Sequence, residues 1–137
     1  IGLRELPPSL LRAMTEVDHD AHVAVVAEAI GDDDEASIVA DARYVRGPTP
    51  DLAADEAEFA IAVADAWQGV GLGRALMRHL SRHASRHGVQ RLVGDVLPGN
   101  RAMFAITDAL GGRFAVSPNG PGVIRTRFDL GACDGKV

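Results

Sequence analysis

Between Glu58 and His87 the apolar pattern changes its period, and three closely spaced glycines mark the change. Glu58-Phe59-Ala60-Ile61-Ala62-Val63-Ala64 reads as a strand. Leu72 to His87 reads as a helix, with Leu72, Ala75, Leu76, Leu80 and Ala84 near one face and Gly88 as the C-terminal cap. The join is Trp67-Gln68-Gly69-Val70-Gly71-Leu72-Gly73-Arg74. Glycines let the backbone turn tightly and bring N–H groups close to a ligand, while a helix start adds unpaired donors and a partial positive charge. Together these features make a phosphate cradle. A plain tight turn is the other reading of the same glycines.

The rest of the chain builds a sheet around this join. Pro7 to Met14 reads as a short helix, with Leu10, Leu11 and Met14 on one stripe. Ala21–Ala27 and Ser37–Val45 read as two strands of a hairpin, turned at Gly31-Asp32-Asp33-Asp34, so the acidic run Asp32–Glu35 is its tip. Gly47 through Asp55 is a loop. Arg91–Leu97 is a strand after the long helix, and Asn100 opens a second helix that runs to Leu110. Arg113–Ser117 and Val123–Leu130 are short strands around a Pro-Asn-Gly-Pro-Gly turn. The order α-β-β-β-α-β-α-β-β predicts a mixed α/β sheet, antiparallel at first, with one parallel crossover in the middle.

Which phosphate motif the glycines form can be decided by position. A dinucleotide fingerprint needs Gly-x-Gly-x-x-Gly, but the last place falls on Arg74 from Gly69 and on Leu76 from Gly71. Asp95 sits where a ribose-binding acid would, yet the third glycine is missing in both registers. A Walker loop needs Gly-Lys-Ser/Thr, which is absent. The pattern that fits is Gln-x-x-Gly-x-Gly, as Gln68, Gly71 and Gly73. This resembles the acetyl-CoA loop of the GNAT superfamily of N-acetyltransferases. Val96-Leu97-Pro98-Gly99-Asn100-Arg101-Ala102-Met103 and the later Leu110-Gly111 are similar to that family's second block. The resemblance spans most of the chain, from about residue 20 to about residue 130. Ala57-Glu58-Phe59-Ala60, Arg43-Tyr44-Val45-Arg46 and Thr15-Glu16-Val17-Asp18-His19-Asp20 further resemble bacterial protein lysine acetyltransferases of the Pat type.

The resemblance implies a GNAT fold, a mixed and mostly antiparallel central sheet with helices on both faces. GNAT domains normally begin with a strand and a helix ahead of the part that Leu6–Met14 resembles. Neither is visible here. The expectation is one GNAT domain over residues 1–137, N-terminally incomplete or excised from a longer chain, with an open sheet edge that invites pairing.

It also implies chemistry. Acetyl-CoA is the cosubstrate, and an amine attacks its thioester directly. An amine of pKa near 10 is mostly protonated at pH 7, so a base has to take its proton. Glu58 is the candidate, opening the strand that runs into the loop; Pat-like enzymes carry a glutamate base here, which would suit a partly dry cleft. Glu58 shares a strand face with Ala60, Ala62 and Ala64, small side chains that leave room for a ligand. An exposed strand-start carboxylate is the bland alternative, and Glu56 on the same face is the rival. By resemblance, backbone groups of Ile61, Ala62 and Val63 pair with the pantetheine arm like an added strand. The amides of Gly69, Val70, Gly71, Leu72 and Gly73, with Gln68 and Arg74, take the pyrophosphate, and Asn100 sits across the gap. Many family members place a tyrosine acid in the second helix. That place holds Thr107 here, and the only tyrosine is Tyr44 of the hairpin. No tyrosine acid is expected, and a thiolate of pKa near 8.5 leaves tolerably without one.

Composition narrows the partners. A net charge of −5 and a pI near 5.4 argue against nucleic acid. No apolar run approaches a membrane span, no signal peptide is visible, and Cys133 is alone, so a cytoplasmic chain without a membrane partner or metal site is expected. Of the 14 basic residues only Lys136 is lysine, which reads as genomic composition. His79, His83 and His87 repeat beside Arg78, Arg82 and Arg86; with no acid on that helix, a solvated cationic face is favoured over a metal site. His19 and His22 read as structural. Asp51, Asp55, Glu56 and Glu58 make a negative rim that either attracts a lysine or only aids solubility. The resemblance to Pat-type enzymes implies a lysine on a protein as the preferred acceptor, for instance on an acyl-CoA synthetase. A small amine, or a non-catalytic acyl-CoA-binding sensor role, are the alternatives.

Overall fold

A computed structural model of the chain describes residues 11–19 as backbone, and 22–30 and 34–130 in full. Seven strands form one sheet: β1 (Leu11–His19), β2 (His22–Ile30), β3 (Ala36–Arg46), β4 (Glu56–Val63), β5 (Arg91–Val96), β6 (Arg113–Val116) and β7 (Ile124–Asp129). Their order across the sheet is β1-β2-β3-β4-β5-β7-β6. Only β4 and β5 are parallel. The helix α1 (Leu72–Arg86) makes that crossover, and α2 (Arg101–Ala109) joins β5 to β6. This is the expected mixed sheet, and its elements after residue 21 fall where the sequence put them.

The N-terminal stretch differs. Leu11–His19 is a strand, paired antiparallel with β2 from Leu11↔Ala29 to His19↔His22, and not the end of a helix. Residues 7–10 lie outside the described set. Three apolar positions within one or two turns fit a helical stripe but cannot outweigh the row of unpaired N–H and C=O groups along β2, which β1 satisfies. Asp32 and Asp33 of the hairpin tip, Cys133 and Lys136 also lie outside the described residues.

Strict alternation along β2 buries Val23, Val25, Ala27 and Ala29 on one face. Ala40, Ala42 and Tyr44 of β3, Ala57 and Phe59 of β4, Leu92 of β5 and Phe128 of β7 extend that face, and α1 lays Leu72, Leu76, Met77, Leu80 and Ala84 on it. The helix ends as expected at Gly88, whose φ of +89° only glycine adopts cheaply, with Val89 N–H returning to Ala84 C=O at 3.0 Å. α2 packs on the same side: Phe104 meets Phe114 edge to face, and Thr107 and Phe128 both crowd Gly112. Of the helices expected on the sheet's two faces, both described ones therefore share one, because the apolar residues of β2 to β5 and of β7 alternate toward it. No described helix is long and apolar enough to cross a membrane.

Candidate active site

β4 and β5 part company halfway along. Glu56↔Arg91, Ala57↔Leu92 and Glu58↔Val93 are their only paired positions. Beyond them β4 stays bonded to β3 as far as Ala40↔Val63, and β5 stays bonded to β7 as far as Val96↔Ile124. Alternate residues of Phe59–Val63 thus present backbone N–H and C=O groups to a gap instead of a neighbour. Gly94 is the first β5 residue past the split. A Cβ there would lie 2.8 Å from the Phe59 ring and 3.1 Å from the Phe59 carbonyl oxygen.

The gap opens into a cleft of about 370 Å³. Its lining gathers Ile61, Ala62, Val63, Gln68, Gly69, Gly71, Gly73, Arg74 and Asn100, all singled out in the sequence. Val70 and Leu72 turn their side chains into the core, at 7% and 0% exposure, and can offer a ligand only backbone. A single turn of 3-10 helix, Asp65–Trp67, carries β4 into the loop. Gln68 braces that turn, its Nε2 donating to the Val63 carbonyl at 3.1 Å and to Asp65 at 3.4 Å.

The start of α1 is built as a donor array. Gly71, at φ +89°, is the N-cap and has no side chain to accept from the first turn, which also contains no acid. The N–H groups of that turn keep their partial positive charge, and Arg74 stands beside them. Gly73 has a different duty: a Cβ there would come within 2.9 Å of Ile106 Cδ1, so its absence lets α1 and α2 close on the cleft. Asn100 caps α2, its Oδ1 accepting from Met103 N–H at 3.0 Å.

Five lining residues are not singled out by the sequence reading: Trp67, the small side chains Ala102 and Ala105, and the apolar pair Met103 and Ile106. For the four on α2 the three-residue spacing of Asn100, Met103 and Ile106, repeated by Ala102 and Ala105, is the signal that marks them.

The two candidate carboxylates have opposite surroundings. Glu56 accepts from Ala53 N–H at 3.0 Å and from Arg91 Nη1 at 2.7 Å. The Ala53 amide first, then the Arg91 guanidinium, hold its carboxyl below the usual range against the opposing effect of burial. It is tied down as an anion. Glu58 makes no hydrogen bond or ion pair among the described residues and is exposed at the apex of the split, outside the cleft lining. The dry surroundings expected for it are absent, because both described helices cover the opposite face. On Glu58's face Arg43 pairs with Asp41 at 3.2 Å, Arg91 with Glu56, and Arg125 with Asp95 at 3.0 Å, while Arg127, in register with Val93, stands 3.7 Å from Asp129 and its buried Nε makes no hydrogen bond among the described residues. Burial pushes the Asp95 carboxyl up, but hydrogen bonds from Arg125, Asn119 and Ser117 outweigh it and leave it low. Asp95 is an ion-pair partner.

Thr107 is fully buried and donates to the Met103 carbonyl at 2.8 Å, so it offers the cleft no proton. Tyr44 is equally buried, 2.8 Å from His83 Nδ1. That corrects the solvated-face reading for His83, which is 4% exposed and stacks on His87 at 4.1 Å; Arg78, Arg82 and Arg86 are exposed as expected. Among the described residues, no three His, Cys, Asp or Glu gather to hold a metal.

Comparison with known proteins bears on this geometry. The model of the acetyltransferase (GNAT) family matches residues 4–111. The acetyltransferase Pat of Mycolicibacterium smegmatis is 37% identical over 135 residues, 97% of this chain and 38% of that protein. Among solved structures, the GNAT domain of Streptomyces lividans PAT superposes with a TM-score of 0.70 at 34% identity, covering 82% of this chain and 64% of that one. A cAMP-binding acyltransferase from Mycobacterium smegmatis gives a TM-score of 0.64 at 35% identity, covering 83% of this chain and 33% of the other. The chain thus spans little more than a third of the curated relative's length.

Proposed function

Because the chain belongs to the acetyltransferase (GNAT) family, we propose that it is an acetyl-CoA-dependent N-acetyltransferase acting on a lysine side chain of a protein. The observation that carries this reading is the split between β4 and β5, with a donor-rich helix start at one end and an unpaired carboxylate at the other. From Glu58 to Val63 is about 17 Å of strand, a run along which an extended pantetheine arm can lie. The first turn of α1 and Arg74 hold the pyrophosphate, and those backbone groups of the Ile61, Ala62 and Val63 stretch that face the gap pair with the arm's amides. Glu58 takes a proton from the acceptor ammonium. The freed amine attacks the thioester carbon, the C–S bond breaks and CoA leaves as the thiolate; the acylated nitrogen sheds its remaining extra proton to solvent, and solvent protonates the thiolate.

A protein lysine is favoured as acceptor by the open face around Glu58. Val45, paired with Glu58 on β3, is 41% exposed, and no described helix roofs the carboxylate. A chain carrying a cationic side chain can approach there without opening a lid. The likeness to Pat acetyltransferases at 37% identity supports the same acceptor class.

The test is thiol release from acetyl-CoA with a panel of lysine-bearing proteins and small amines. Glu58→Gln should lower turnover by about 10²–10⁴-fold while acetyl-CoA binding persists. Turnover confined to small amines would keep the chemistry and refute the acceptor. Tight binding with no turnover by wild type would make the domain an acyl-CoA sensor.

A further inference from the structure

β4 continues past the end of the cleft. Along the helix-covered face of β4, the side chains met from the loop toward the apex are Val63, Ile61 and Phe59. The first two line the cleft, whereas Phe59 is 6% exposed and lies beyond it. Its ring is pinned from two sides. Gly94 of β5 lies against it so closely that a Cβ would stand 2.8 Å from ring atoms Cε1 and Cζ. Phe128 of β7 meets it at 5.6 Å between centroids, with the planes inclined by 64°. The missing side chain of Gly94 provides the space that the ring fills, directly beneath the point where the two strands part.

Resting on the reading that acetyl-CoA lies along β4, we propose that Phe59 closes the acyl pocket and restricts the transferred group to short chains, acetyl and propionyl. An arm running from the α1 start past Val63 and Ile61 brings its thioester to the apex, where Glu58 stands on the opposite face of the same strand. The acyl carbons beyond the thioester then point at the Phe59 ring. An acyl chain that runs on past Ile61 meets that ring. Each further methylene has to displace an aromatic side chain that cannot retreat, since Gly94 and Phe128 already touch it, and a packed interior resists even one added methylene. Ile61 and Met103 make this end of the cleft apolar, so an acyl chain finds no polar group that would hold it elsewhere.

Trp67 is the single tryptophan and lines the cleft, so its fluorescence reports binding of acetyl-, propionyl-, butyryl- and hexanoyl-CoA directly. Wild type should bind the first two comparably and lose about tenfold or more in affinity at butyryl-CoA, with a larger loss at hexanoyl-CoA. Phe59→Ala and Phe59→Leu should each raise the ratio of butyryl- to acetyl-CoA affinity by about tenfold. Phe59→Leu retains most of the buried volume, which keeps the test available if Phe59→Ala fails to fold. Equal affinities across the wild-type series would overturn the assignment, as would folded variants whose chain-length ratio does not move. Failure of acetyl-CoA itself to bind is a different result, which would overturn the proposed function.

Discussion

Two helices begin at the same cleft, and they treat their first turns in opposite ways. α2 starts at Asn100, whose side chain accepts from Met103 N–H, so one of its free donors is already satisfied. α1 starts at Gly71, which has no side chain, and no acid stands in its first turn. A glycine in place of a capping side chain costs a few tenths of a kcal/mol of stability. A chain that caps one helix and leaves its neighbour bare has placed the unsatisfied donors where an anion can use them. On the proposed reading, the bare start of α1 is the phosphate end of the cleft and the capped start of α2 meets a neutral part of the ligand.

Making α1 resemble α2 tests this most severely. Gly71→Asp supplies the missing cap and a negative charge, and the space beside Gly71 is open, although its φ of +89° strains any side chain. Acetyl-CoA affinity should fall about hundredfold, as several charge-assisted hydrogen bonds give way to repulsion. Calorimetric titration at low salt measures it, and an unchanged affinity would remove the phosphate from this helix end. Making α2 resemble α1 should do less. Asn100→Ala should cost about 1 kcal/mol of stability, read as a lower urea midpoint with an unchanged slope. Acetyl-CoA affinity should drop far less than for Gly71→Asp; an equal drop would mean that both helix starts hold phosphate.

The smallest effect concerns the paired half of β4. The Glu56 carboxyl is held low in the folded state by Ala53 N–H and Arg91. Its contribution is therefore present above its unfolded value of about 4.5 and is lost as pH falls through the depressed folded value. Glu56→Gln should flatten the acid limb of stability in that window and leave neutral-pH turnover nearly intact. A loss of turnover as large as that of Glu58→Gln would restore Glu56 as the base.

Much of this site was readable before any fold was known. Gln68, Gly71 and Gly73 stand out by their spacing, and Gly71 meets a local backbone need in its positive φ, whereas the close approach of Gly73 to Ile106 is a tertiary contact. Asn100 announces a helix start by its residue type. Nine of the twelve residues expected at the site line the cleft, because they lie in two short segments whose conformation is locally encoded. Glu58 could be named but not distinguished from Glu56 by pattern, since both occupy one face of one strand. Arg91, distant in sequence, makes the distinction by neutralising one of them. His83 was misjudged for the same reason: the helical repeat places it beside His79 and His87, and only Tyr44, brought from the hairpin, shows that it is buried.

The sequence by itself determined the element types after the first strand, the glycine cradle and the caps, since periodicity, propensity and turn chemistry act over a few residues. Tertiary structure alone decided that Leu11–His19 is a strand, where β4 and β5 separate, which carboxylate stays unpaired and that the Phe59 ring is buried against Gly94 and Phe128. Each of those outcomes depends on a partner outside the segment itself: the open edge of the next strand β2 and, far away in the chain, the bare backbone of Gly94, the guanidinium of Arg91 and the ring of Phe128. Such partners are chosen by competition for hydrogen bonds and space among elements already formed, and no local pattern records its outcome.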